Sequence, residues 1–180
     1  MPYHFNAPLL SGVAASDAGL PAPANSPLLA HVGERTKESS MAFALRVVDE
    51  HGARLPGALA AAASGEALAR AAQEAETLVR CGSPREGDLV VFADGWLFGV
   101  VTGVHFADTV EFIYAARGVI RRGFLSAPTP STRRGPDGRA LNTFVRPYLP
   151  GDSPEQRYLA GELFTGYIPT DARSREVATR

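Results

Sequence analysis

The sequence predicts a mixed α+β domain, with helices first and an antiparallel sheet after them. Residues 41–51 and 66–79 read as helices, and four runs between residues 88 and 125 read as strands. Asp94-Gly95, between the first two runs, is a hairpin signal. Helices followed by a meander differ from the strand–helix alternation of parallel α/β folds.

Each element follows from local chemistry. Residues 1–36 are rich in Pro, Ala, Ser and Gly without a sustained period, which predicts an irregular N-terminal arm. Ser39-Ser40 supplies a cap for a helix over Met41–His51, and Gly52 stops it. Met41, Phe43, Ala44, Leu45, Val47 and Val48 cover most of its circumference, so this helix is expected to be buried. Leu55-Pro56-Gly57 is a turn. The Ala-rich stretch 58–79 breaks near Ser64-Gly65, and a second helix runs from Glu66 to Val79. A turn at Gly82–Gly87 leads into strands at Asp88–Ala93, Leu97–Val104, Thr109–Ala115 and Val119–Leu125, rich in Val, Phe and Ile. Residues 126–140 form a polar loop, and Leu141–Arg146 reads as a last strand. Ser153-Pro154-Glu155 opens a short helix, with Ser153 as cap and Pro154 at the first position. The expected organisation is an arm over 1–36, a domain over 37–169 and a polar tail over 170–180.

Bulk properties exclude several classes. The 180 residues suit one domain with a sizeable core. The net charge of -1 gives no overall basic surface, so nucleic acid is not the expected partner. The single cysteine, Cys81, permits no intramolecular disulfide and no cysteine-based zinc site. No run approaches the roughly 20 apolar residues of a membrane span, and no basic-then-apolar leader is seen, so the default location is cytoplasmic.

Two segments resemble a known family. Gly82-Ser-Pro-Arg-Glu-Gly-Asp-Leu-Val-Val-Phe92 is similar to the RPGDLVFF entry into the sheet of NlpC-type and CHAP cell-wall peptidases. Thr109-Val-Glu-Phe-Ile-Tyr-Ala-Ala-Arg-Gly-Val-Ile-Arg-Arg-Gly123 resembles the strand pair that follows in many of those domains. The resemblance spans residues 39–147 and implies a soluble bacterial protein with a papain-like core. In that family a Cys-Ser-Gly-Phe-Val motif starts the buried helix, where the helix N-terminus lowers the thiol pKa. A His opens the second strand as base, and a third polar residue on the next strand orients it. Laid on this chain, the helix motif falls on Ser40-Met41-Ala42-Phe43-Ala44 and the strand motif on Leu97-Phe98-Gly99-Val100-Val101. The cysteine position is Ser40, the histidine position Leu97 and the third position Tyr114. A leucine cannot accept a proton, and a serine without a base is a poor nucleophile.

The remaining candidates are weighed against plainer roles. Cys81 precedes a turn, away from the buried helix start, and reads as a structural thiol. His4, His31, His51 and His105 are scattered without metal-ligand spacing. His51 suits a helix C-terminus, and a His105–Cys81 dyad is a further arrangement to test. Arg117, Arg121, Arg122, Arg133, Arg134, Arg139 and Arg146 gather in the C-terminal half, as either an anion or acidic-partner patch or a solvated face. Of these, Arg117, Arg121 and Arg122 are the candidate partner-binding residues. Trp96, Phe98, Phe112 and Tyr114 read as core aromatics, except that the resemblance turns Tyr114 and Leu97 toward the cleft.

The expectation is therefore a catalytically inactive NlpC-type homologue that acts as a binding or scaffold protein for a protein or peptide, needing no cofactor and no metal. Two alternatives stand beside it: an amidase or peptidase with a rearranged nucleophile, Ser40 or Cys81, and a structural assembly subunit. Oligomeric state is left open.

Overall fold

The structure is a computed structural model that describes residues 25–105 and 108–172. The architecture is α+β. Helix α1 (Ser40–Glu50) starts where the Ser39 hydroxyl accepts from the Ala42 amide at 3.1 Å, and the chain leaves through Gly52 at φ 75°. Strand β1 (Ala53–Arg54) follows. Helix α2 (Gly65–Glu74) is capped by Ser64. It ends five residues before the expected Val79, because Glu76 takes a left-handed conformation at φ 54°, and the Thr77 and Leu78 amides both close on the Ala72 carbonyl. Val79 instead pairs with Tyr167.

The expected meander is present as β2 (Leu89–Phe92), β3 (Leu97–His105), β4 (Thr109–Ala116) and β5 (Val119–Ser126). With β8 (Phe164–Ile168) they form one antiparallel five-stranded sheet in the order β5-β4-β3-β2-β8. The added edge strand, β8, lies in a segment for which no strand was expected. The predicted last strand shrinks to β6 (Phe144–Val145), paired with β7 (Tyr158–Leu159). The expected helix at Ser153 does not form. Gln156 N–H closes one turn on the Ser153 carbonyl, and Asp152 spends its carboxylate on the Leu149 amide and the Tyr158 hydroxyl. A single turn so placed has no further residues to propagate it. The helix in this region is α3 (Ala160–Leu163), where the Glu162 carboxylate accepts from the Leu159 amide at 3.0 Å.

Both faces of the sheet are covered. On one, α1 and α2 bring Phe43, Val47 and Leu68 against Val91, Phe98, Val100, Ile113 and Ile120. On the other, Val90, Phe92, Leu97, Phe112, Tyr114 and Leu125 pack with Val145, Ala160 and Tyr167. Each large side chain so buried contributes roughly 1.5–3 kcal/mol. Successive strand residues alternate between the two layers. A bulge interrupts this where the β3–β4 register shifts between Val101 and Gly103.

The chain termini of the described region are docked. Residues Pro27–His31 form a 3-10 turn with Leu28 buried, and the Ser26 hydroxyl donates to Glu86 at 2.6 Å. Gly33 and Thr36 donate to the Ile120 and Gly118 carbonyls, so the last part of the expected arm runs beside β5. The expected tail begins with β9 (Asp171–Ala172), which pairs with β1. The rest of that arm, 1–24, and of that tail, 173–180, lies outside the described residues.

Candidate ligand-binding site

The three positions named by the resemblance do not converge. Ser40 sits at the start of α1, on the helix side of the sheet, where its hydroxyl accepts from the Phe98 amide at 3.1 Å. It borders a shallow cavity of about 290 Å³ with Ser39, Ser64, Glu66 and Trp96. Leu97 and Tyr114 belong to the opposite layer, with Phe112 and Phe92. Phe98, the neighbour of Leu97, is the side chain that faces α1. Leu97 is buried packing. Ser40 and Tyr114 line separate cavities on the two sides of the sheet.

Tyr114 is instead brought to two of the candidate arginines. It lines a cavity of about 220 Å³ with Arg117, Arg121, Phe144, Arg146 and Tyr148. Strand pairing sets Tyr114 opposite Arg121 in the β4–β5 register. The turn joining those strands holds Arg117 in a left-handed conformation at φ 54°, followed by Gly118. The Arg117 Nε donates to the Tyr148 hydroxyl. Arg117 and Arg146 both reach the Pro154 carbonyl, at 3.5 and 3.3 Å. Phe144 is 38% exposed and lies under Arg133 and Arg157, whose guanidinium carbons are 5.2 and 4.7 Å from its ring centre. Tyr148 is 49% exposed beneath Arg117 at 5.8 Å. Five arginines thus surround two exposed aromatic rings, and among the described residues none of the five has a carboxylate within 4.0 Å. Burial raises the Tyr114 pKa above the ordinary tyrosine value, with the Arg121 charge opposing. Its hydroxyl therefore stays protonated as a hydrogen-bond donor near neutral pH.

Arg122 parts from this group. It alternates to the other face and pairs with the fully buried Glu111 through Nε. Sequence reading grouped it with Arg121 because adjacency in the chain hides the alternation of a strand. The same reading missed Arg157, Phe144 and Tyr148. A usable signal is Phe144-x-Arg146-x-Tyr148, which places three side chains of this type on one side of an extended segment.

The other candidates remain apart. Cys81 is exposed and borders a cavity with Arg80, Val104 and Asp108; no histidine lines it among the described residues. His105 bonds to Glu111 rather than to Cys81. His31 contacts Glu34 and Glu50, and His51 lies 3.9 Å from Glu86. No cluster of three or more potential metal ligands occurs among the described residues. No helix among them is long and apolar enough to cross a membrane.

What the Tyr114 cavity offers is guanidinium forks, a hydroxyl donor and flat apolar rings. Such a set suits carboxylates and aromatic or aliphatic side chains. Comparison of the chain with family models, with curated proteins and with solved structures gives no match.

Proposed function

We propose that this domain is a non-catalytic homologue of the NlpC-type peptidases, with a papain-like core, that works as a binding or scaffold protein. Its partner is an acidic peptide segment, held at the arginine–aromatic cavity beside Tyr114. The observation that carries the reading is the convergence of Arg117, Arg121, Arg133, Arg146 and Arg157 on Phe144 and Tyr148 without a neutralising carboxylate among the described residues. Arginine and aromatic residues are the side chains most enriched at binding hot spots. A peptide suits the cavity better than a nucleic acid does. The patch is local, and the chain as a whole carries a charge of -1, which opposes an extended polyanion. Against hydrolysis stands the separation of Ser40 from Leu97 and Tyr114 by the sheet, with no base bonded to the Ser40 hydroxyl among the described residues.

The test is fluorescence anisotropy with a labelled peptide rich in Glu and Asp and carrying one Phe. Binding is expected to weaken about tenfold or more in an Arg117→Ala/Arg121→Ala double variant, and to weaken with added salt. Tighter binding of a single-stranded oligonucleotide than of the peptide, or binding unaffected by the double substitution, would overturn the reading.

A further inference from the structure

A second cavity, independent of the arginine patch, opens at the His105 end of β3, beside a buried polar cluster. Glu111 is completely buried on β4. One carboxylate oxygen receives His105 Nε2 at 2.6 Å, and the other receives Arg122 Nε. Among the described residues three buried side-chain atoms lack a hydrogen-bond partner: Thr102 Oγ1, Thr109 Oγ1 and Arg122 Nη2. Thr102 lies in the bulge opposite Glu111, Thr109 is two positions before it on the same strand face, and Arg122 is its ion-pair partner. Buried polar groups are nearly always satisfied; of these three, Arg122 pairs with Glu111 and Thr109 lines the neighbouring cavity.

His105 and Thr109 also line a cavity of about 620 Å³, closed by the 126–141 loop through Pro128, Pro136, Ala140 and Leu141. That volume falls within the range of small-molecule sites. The loop is held in place by Asn142, buried, whose amide donates to the Thr129 and Thr132 carbonyls and whose oxygen accepts from Ser126 N–H. The wall is therefore formed in advance rather than assembled on binding.

The hydrogen bond to Glu111 fixes the chemistry of His105. A carboxylate only accepts, so the Nε2 atom carries a hydrogen, and in the neutral ring Nδ1 is the acceptor left for a ligand. Among the described residues Nδ1 makes no hydrogen bond. We propose that this cavity binds a small, largely apolar molecule carrying one hydroxyl, which donates to His105 Nδ1 while its apolar body fills the space against Pro136, Ala140 and Leu141. Glu111 and Arg122 act as positioning residues that hold the imidazole in this tautomer and orientation.

The probe is phenol, with anisole as its methyl-blocked counterpart, titrated into the full chain and followed by amide and imidazole nitrogen NMR. Saturable phenol binding is expected, with shifts confined to residues 128–141 and to the His105 ring. Anisole, which cannot donate, is expected to bind about fivefold more weakly. Ala140→Leu, which fills the cavity, is expected to weaken phenol about tenfold. Gln73→Ala, at an exposed position of α2 outside the cavity lining, serves as a folded control with affinity near that of the native chain. Absence of saturable phenol binding in the native chain, equal affinity for anisole, or shifts that lie elsewhere would each overturn the proposal. None of these outcomes bears on peptide binding at Arg117 and Arg121.

Discussion

The Ser40 hydroxyl accepts a hydrogen bond from the Phe98 amide at 3.1 Å, joining positions 58 residues apart in the chain. The bond pins the start of α1 to the start of β3. Among the described residues no base accepts the Ser40 O–H hydrogen, which an attacking serine requires. Native protein is therefore expected to show no turnover of stem peptides or simple amides. Ser40→Ala is expected to cost about 1–3 kcal/mol of stability, because the Phe98 N–H loses its acceptor. Chemical denaturation and a peptidase assay on both proteins check this. Native turnover that disappears in Ser40→Ala would revive the rearranged hydrolase.

Phe112 lies across two glycines. A Cβ at Gly99 would sit 2.8 Å from its Cδ2, and one at Gly123 would sit 2.5 Å from its Cζ. The ring also contacts Phe92 and Tyr114, at 5.1 and 5.4 Å between centres, so it has no room to retreat. Gly123→Ala is expected to destabilise by roughly 1–3 kcal/mol through overpacking. Phe112→Leu in the Gly123→Ala background is expected to recover part of that loss, read as non-additivity in a double-mutant cycle. Strict additivity would refute the steric account.

Glu111 is the centre of its cluster, and its removal leaves His105 and Arg122 facing each other without a carboxylate. Glu111→Ala is expected to cost about 3–5 kcal/mol, the range for breaking a buried pair by deleting one partner. Urea unfolding measures this. A loss below about 1 kcal/mol would mean that the cluster is solvated in the native state.

The sheet was legible in the sequence, and its sidedness was not. β2 to β5 start and end within one residue of the runs read from Val, Phe and Ile content. The Ser39 cap and the Gly52 stop are also where the residue types put them. Sidedness failed for a physical reason. β2 is buried at all four positions and β4 at seven of eight, so no polar residue marks the exposed phase. Without that phase nothing in the sequence opposes the resemblance, which puts Leu97 and Ser40 in one cleft although the sheet lies between them. β8 was missed because its partner β2 lies more than seventy residues earlier, at Val90 for Tyr167, and nothing local announces such a pairing. The single-turn helix at Ser153 failed because a favourable cap does not nucleate a helix without residues to propagate it.

The buried tyrosines set the alkaline limit of the fold. Burial raises the pKa of Tyr114, and it raises that of Tyr167 further, well beyond the ordinary tyrosine range. The cause is desolvation, which disfavours the phenolate inside the second layer of the core. In the unfolded chain both ionise near pH 10. Each folded pKa thus lies above its unfolded value. The associated stability is complete below about pH 10 and is lost as pH rises through the folded values, since the unfolded state releases its protons first. Unfolding free energy is therefore expected to fall with rising pH from about pH 10 upward. Tyr167→Phe is expected to flatten that fall more than Tyr114→Phe does, because Arg121 partly offsets the burial of Tyr114. Denaturant midpoints measured across this pH range, alongside phenolate absorbance of the native state, decide the matter. Phenolate absorbance that rises fully near pH 10 while the protein remains folded would show that neither hydroxyl is desolvated.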